Sequence, residues 1–200
     1  MTRLRRLRPG DRIALVAPAS SFAPDEIDRG AAELRRLGFE VSYASTVFDK
    51  ARFTAGSSQT RARAIHDALA DPAIAALIAV RGGYGSAELL PLLDANLIRE
   101  ARKPLIGYSD ITALLTAYLR CGLVAVHGPM IERRISQGPS AYHVDSFLSV
   151  LTSAEAAGEM RPDQLDTLHA GEHRGVIVGG TLTQLMASMG TPHAFDPPEG

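Results

Sequence analysis

The sequence predicts an α/β fold: a doubly wound parallel sheet followed by the beginning of a second, incomplete domain. Three observations predict it. Short apolar runs alternate with segments of helical period, the runs show no polar alternation, and several of them end in Gly, Pro or Ser loops. Strands apolar on both faces and separated by helices belong to a sheet covered on both sides.

In chain order, "RIALVAPAS" (12–20) reads as a buried strand ending in a Pro/Ser loop. "PDEIDRGAAELRRLGF" follows as a helix. Ile27, Ala31, Leu34 and Leu37 recur at helical spacing, Asp25 and Glu26 occupy the first turn, and Gly38 is the stop. "EVSYAS" is the next strand. Ser57 or Ser58 caps a helix bearing Ala62, Ile65, His66 and Leu69, which breaks at Asp71-Pro72. "AIAALIAV" (73–80) is a strand with "RGGYG" (81–85) as its exit loop, and a helix near 87–93 and an irregular stretch lead to the strand "PLIGYS". The helix "DITALLTAYLR", a turn at Cys121-Gly122 and the strand "LVAVHG" complete this part. Beyond Pro129, "ERRISQGPSAY" is loop-like, "DSFLSVLTSAEAAGEM" helical and "RPDQLDTLHAGEHRG" an extended connector. "VIVGGTLTQLMASMG" then returns to strand, glycine turn and helix, with nothing evident to pack against. The expected division is a nucleophile-bearing α/β domain at 1–135, a helical connector at 136–174, and the start of a further domain at 175–200 that reads as truncated.

Composition narrows the function classes. The chain has 200 residues, 46% of them hydrophobic, with 21 basic against 22 acidic side chains. That balance excludes the basic stripe of a nucleic-acid partner. The cluster Arg3, Arg5, Arg6 and Arg8 lacks interleaved aromatics and reads as a solvated end. No apolar run has the length of a membrane span, and 1–10 carries no apolar core of a leader, so the expectation is a soluble, cytoplasmic protein. A single cysteine, Cys121, excludes an internal disulfide. His66, His143, His169, His173 and His193 show no metal-ligand spacing, and no metal or cofactor is expected.

In a parallel sheet ligands bind at the C-terminal edge of the strands. That edge gathers Ser20 and Ser21, the loop 81–85 with Arg81, Gly82 and Gly83, Ser109 and Asp110, and His127. Cys121 precedes its strand, lies on the other edge and reads as structural. Ser109 stands where a strand breaks into a helix. A nucleophile held there projects above the sheet, beside the positive potential of a helix N-terminus. Yet Ile111 replaces the second glycine of G-x-S-x-G, and a helix N-cap alone explains both Ser109 and Asp110. Pattern leaves the two readings open. Adjacent glycines at 82 and 83 allow close backbone approach, either as a bare turn or as an anion site whose N–H, with that of Asp110, holds an oxyanion. His127 is the in-chain histidine placed on this edge, with Glu132 and Asp110 as possible orienters, or it is a histidine bonded at a strand end.

The stretches "LRPGDRIALVAPAS", "RFTAGSSQTRARAIHDAL", "RGGYGSAELLPLLD", "KPLIGYSDITALL", "VHGPM" and "GGTLTQLMASMGTP", in this order, resemble the LD-carboxypeptidase and microcin-immunity serine peptidases. The resemblance implies a flavodoxin-like domain bearing the nucleophile and a second domain bearing the rest of a Ser-His-Glu triad. It makes Ser109 the nucleophile and the N–H groups of Gly82 and Asp110 the oxyanion hole. It also implies release of terminal D-alanine from murein tetrapeptide, with hydrolysis of microcin-type aminoacyl nucleotides as the other branch and a homodimer as a common assembly. Arg81, Gly83, Ser20 and His127 are the substrate-binding candidates. A binding module in which Ser109 only caps is the reading outside the enzyme class. The family's "GGNL" stands here as "GGTL", with Thr181 for Asn, and no residue matches the triad Glu or His. The expectation is that the chain by itself is close to inactive and that exposed apolar surface in "VIVGGTLTQLM" makes it aggregation-prone.

Overall fold

A computed structural model describes residues 2, 4–153, 155, 158–159, 164 and 166–196. Arg3 of the basic cluster lies outside the described residues, as do Ala154, Ala156, Ala157 and Met160 of the helix expected at 145–160. So do 161–163 and 165 of the connector and 197–200 of the final segment.

Among the described residues five strands form one parallel sheet. They are β1 (Arg12–Val16), β2 (Glu40–Ser42), β3 (Ile74–Ala79), β4 (Leu105–Gly107) and β5 (Val126–His127), in the order β2-β1-β3-β4-β5. This is a doubly wound order, with crossover helices on both faces. Period-2 alternation sends Ile13, Leu15, Ala76 and Ile78 into one apolar cluster with α1 (Pro24–Arg36) and α5 (Val144–Thr152). Ala14, Val16, Leu77 and Ala79 enter the opposite cluster with α2 (Ser58–Ala70), α3 (Ala95–Ala101) and α4 (Thr112–Arg120). A short α6 (Leu182–Ala187) follows the connector. No described helix is long and apolar enough to cross a membrane.

Several elements differ from expectation, each for a local reason. The strand from Glu40 stops at Ser42, and Ser45–Phe48 turns as a 3₁₀ helix. The helix expected near 87–93 is a 3₁₀ segment, Ser86–Leu92, and Pro91 inside it carries no N–H to extend an α ladder. The stretch read as irregular holds α3, whose N-cap Asp94 accepts from Asn96 and Leu97 N–H and which ends at Arg102 in the left-handed region. Within "LVAVHG" only Val126–His127 pair in the sheet. Residues 176–178 form no strand: Val176 and Ile177 are 60% and 89% exposed, and they pair with no sheet edge among the described residues. The helix after them does find a partner in α4.

Buried polar groups hold the pieces in register. Ser57 caps α2, accepting from Thr60 N–H. At its other end Lys103 Nζ donates to the carbonyls of Ala68, Leu69 and Asp71, which closes the helix terminus that a buried end must otherwise leave unsatisfied. On the other face Glu26 accepts from Arg29, from Arg133 N–H and from Ser136 Oγ, and a Cβ on Gly30 would lie 2.5 Å from Ile131. Glu33 accepts from Arg36 and from Tyr142 Oη at 2.8 Å. These two glutamates of α1 therefore bind the segment that follows β5.

The Arg36 guanidinium, then the Tyr142 hydroxyl, hold the Glu33 carboxyl below its ordinary value of 4.5, against the opposing effect of burial. A carboxyl depressed in the folded state binds its proton more tightly when unfolded. Its stabilisation is thus complete above about pH 5 and lost as pH falls through the folded value. Thermal melts between pH 5 and 3 should show a shallower acid loss in Glu33→Gln than in the parent. Parallel curves would remove Glu33 from the acid response.

Candidate active site

β4 is buried, and the chain turns into α4 immediately beyond it, through Tyr108 and a 3₁₀ turn, Ser109–Ile111. Ser109 sits in this turn with φ 60°, a left-handed conformation uncommon for any residue with a Cβ. The turn is tight because Gly107 lets Ile111 fold back: a Cβ at 107 would lie 2.8 Å from Ile111 Cγ2. Tyr108 occupies the N-cap position of the 3₁₀ turn and Ile111 that of α4, and neither cap position makes a side-chain bond. Of the two readings left open by pattern, a cap by Ser109 or Asp110 is not made. Ser109 is half-buried and projects from a strand-to-helix elbow.

Gly82 packs against this elbow. A Cβ built on it would meet Ser109 Cβ at 3.3 Å and Asp110 N at 3.4 Å, a fit tight enough that any side chain here must push the elbow back by a few tenths of an ångström. Among the described residues neither the Gly82 nor the Asp110 N–H has a hydrogen-bond acceptor, although both residues are buried. Two N–H groups left open beside one hydroxyl are the kind of donors that a developing anion requires.

The Asp110 carboxylate braces the same turn. Its Oδ2 accepts from Ser86 N–H at 2.8 Å and its Oδ1 from Gln184 Nε2 at 2.9 Å, while Ser86 Oγ donates to its carbonyl. The glycine loop and the elbow are thus fastened to each other and to α6. Thr181 N–H donates to Thr112 Oγ1, and Gly180 lies so close to Thr112 that a Cβ would be 2.3 Å from its methyl.

The remaining candidates line the same edge and make contacts of their own. Ser20 Oγ accepts from Tyr84 N–H, and Ser20 N–H donates to Gly82 O, so Ser20 braces the glycine loop. Gly83, at φ 101°, lies against that serine. Arg81 donates to Ser21 O at 2.8 Å and pairs with Glu132 at 3.2 Å, which engages both charges with each other. His127 is exposed at the end of β5, its ring 6.0 Å from that of Tyr108, and it makes no hydrogen bond to Ser109. Beside it a cleft of about 760 Å³ is lined by Tyr108, His127, Arg134, Tyr142 and His143. His66 accepts from Asp94 N–H, a structural contact. Cys121 closes α4, and burial raises its thiol pKa, the reverse of a reactive thiolate.

Sequence reading missed Ser86, Gln184 and Arg61. The Ser86 and Gln184 contacts span 24 and 74 residues, and nothing local announces them. Arg61 does carry a signal, a charged residue on the buried stripe of α2 with Ala62, Ile65, Ala68 and Leu69.

A left-handed serine is strained by about 1 kcal/mol relative to glycine. Ser109→Gly should therefore exceed Ser109→Ala in stability by about 1 kcal/mol in urea unfolding. Equal midpoints would mean that the elbow stores no strain.

Comparison with known proteins agrees with this geometry. The family profile described as the LD-carboxypeptidase N-terminal domain matches residues 13–128, more than half of the chain. The murein tetrapeptide carboxypeptidase of Pseudomonas aeruginosa is 34% identical over 195 residues, covering 94% of this chain and 64% of the relative. The microcin C7 self-immunity protein of Escherichia coli is 31% identical over 156 residues, 75% of this chain and 45% of its own length. The crystal structure of a muramoyltetrapeptide carboxypeptidase from Oxalobacter formigenes superimposes with a TM-score of 0.78 at 30% identity, covering 92% of this chain and 62% of that one. The chain spans a little under two thirds of the length of the curated carboxypeptidases that it matches over nearly all of its own length. With its parallel sheet, its elbow serine and its facing glycine loop, the chain belongs to the LD-carboxypeptidase family, whose N-terminal domain residues 13–128 match.

Proposed function

We propose that this protein is a serine-type LD-carboxypeptidase that releases the terminal D-alanine of murein tetrapeptide during cell-wall recycling in the cytoplasm. The observation that carries the reading is the left-handed Ser109 at the strand–helix elbow, with the backbone of Gly82 against it. Ser109 Oγ attacks the carbonyl carbon preceding D-alanine. The carbonyl π electrons move to oxygen, and the resulting oxyanion lies on the Gly82 and Asp110 N–H groups. The C–N bond then breaks as D-alanine leaves with the proton taken from Ser109, and water hydrolyses the acyl-enzyme.

Serine is a weak nucleophile without a base. The reading places that base, a Glu/His pair, outside residues 1–200, and does not lend the role to His127 or Glu132. It also places the nucleophile on a unit at 1–135, a connector at 136–174 and the first part of a further domain from 175. Taken alone, the 200 residues retain only the contribution of the oxyanion site. The E. coli relative's name supports one alternative substrate, a microcin-type aminoacyl nucleotide.

The test is D-alanine release from murein tetrapeptide by the full gene product. Activity should fall about a millionfold in Ser109→Ala, the scale on which a triad loses its nucleophile. Release that survives this substitution excludes Ser109 as nucleophile. Cleavage of aminoacyl sulfamoyl nucleosides without D-alanine release would assign the other substrate.

A further inference from the structure

Arg61 lies one turn into α2 and is 3% exposed. Its guanidinium does not pair within the helix. Nη1 donates to Pro18 O at 2.6 Å and to Gly85 O at 2.8 Å, Nε donates to Gly56 O at 3.2 Å, and Nη2 meets Glu88 Oε2 at 2.5 Å. Three of these acceptors are backbone carbonyls from three separate loops at the sheet's ligand edge. A planar fork with five donors is the side chain that can satisfy such a set at once, and a lysine cannot reproduce it.

Two lines of contact lead from this guanidinium to the elbow. Gly85, whose carbonyl it holds, precedes Ser86, and Ser86 grips Asp110 through its N–H and its hydroxyl. Pro18, whose carbonyl it also holds, leads to Ser20, which binds Gly82 O through its N–H and Tyr84 N–H through its Oγ. The loop has no slack against the fork: a Cβ at Gly85 would lie 3.0 Å from Arg61 Nη1 and 2.7 Å from Thr54 Cγ2. We propose that Arg61 is the positioning residue of the oxyanion site, setting the Gly82 and Asp110 amides beside Ser109 from beneath the glycine loop. Arg61 itself touches neither the substrate nor the reacting atoms.

This inference rests on the proposed hydrolase reading, and its test separates the two. In the full gene product Arg61→Lys keeps the charge and loses the fork. It should lower kcat about 10- to 100-fold, with KM changed less than about threefold, because a misplaced oxyanion donor weakens only the transition state. Purely structural damage would instead lower the fraction of active protein while leaving kcat per titrated Ser109 unchanged. In the same variant the ¹H–¹⁵N resonances of Gly82 and Asp110 should move, while those of β1 and β3 stay in place. Glu88→Gln loosens only one arm and guards against loss of folding in the first variant; it should move the same resonances and lower kcat about two- to fivefold. Unchanged kcat per active site, or unmoved Gly82 and Asp110 resonances in a folded variant, overturns the proposal. If the parent releases no D-alanine and cleaves no aminoacyl nucleotide, the hydrolase reading fails and the resonances alone decide whether Arg61 positions the amides.

Discussion

Ser109 has φ 60°, and an L-residue stays in that region only where its surroundings over-determine it. Here they act from three sides. Ile106 and Gly107 are locked in the sheet, and Gly128 N–H donates to the Gly107 carbonyl. Ile111 folds back over Gly107, fixing where α4 begins. Asp110, between them, is buried and bonded to Ser86 and Gln184. The stability of the sheet thus offsets a cost of about 1 kcal/mol at one residue, and the strain marks the place where Oγ is presented.

The loops around the elbow illustrate a general difficulty. A ligand-binding edge consists of irregular backbone, whose carbonyls and amides have no ladder to satisfy them. This protein satisfies the carbonyls with side chains: Arg61 takes those of Pro18, Gly56 and Gly85, and Arg81 takes that of Ser21. The amides are treated unequally. Tyr84 and Ser86 receive acceptors, while Gly82 and Asp110 do not. Donors left open in this way are what an anion receptor requires and an ordinary tight turn does not.

Much of this was legible before any coordinates. Apolar runs without alternation identified β1, β3 and β4, and strand polarity collected Ser20, Gly82, Ser109 and His127 on one edge. The unread parts share a physical cause. Pro91 decided 3₁₀ over α at 86–92, a matter of one missing N–H that helical spacing does not register. The strand expected at 176–178 has suitable residues but pairs with no edge among the described residues, and strand formation depends on a partner that local sequence does not supply. Arg81 and Ser20 suit a substrate by type and place, and the structure adds what their sequence does not announce: contacts with Glu132, Ser21 and Tyr84, partners 51, 60 and 64 residues away in the chain. Composition gives the inventory of an edge, but long-range pairing determines which members stay free.

The segment after 175 shows how such pairing joins a later stretch of chain to the elbow. Its apolar side chains, including Ile177, Leu182, Met186 and Met189, stay exposed, so burial of apolar surface does not hold it in place. What holds it is polar: at the elbow, Thr181 N–H on Thr112 Oγ1 and Gln184 Nε2 on Asp110 Oδ1, and at the far end of α4, Arg120 on the Ala194 carbonyl. The closest approach, Gly180 on Thr112, admits no side chain at 180. A segment anchored mainly by apolar packing could slide by fractions of an ångström at little cost, whereas a carboxylate shared between Ser86 and Gln184 ties three segments to one pair of oxygens. The position of the Asp110 amide is therefore set jointly by the glycine loop and by the helix that follows "GGTL". The elbow and what lies beyond residue 175 form a single polar construction.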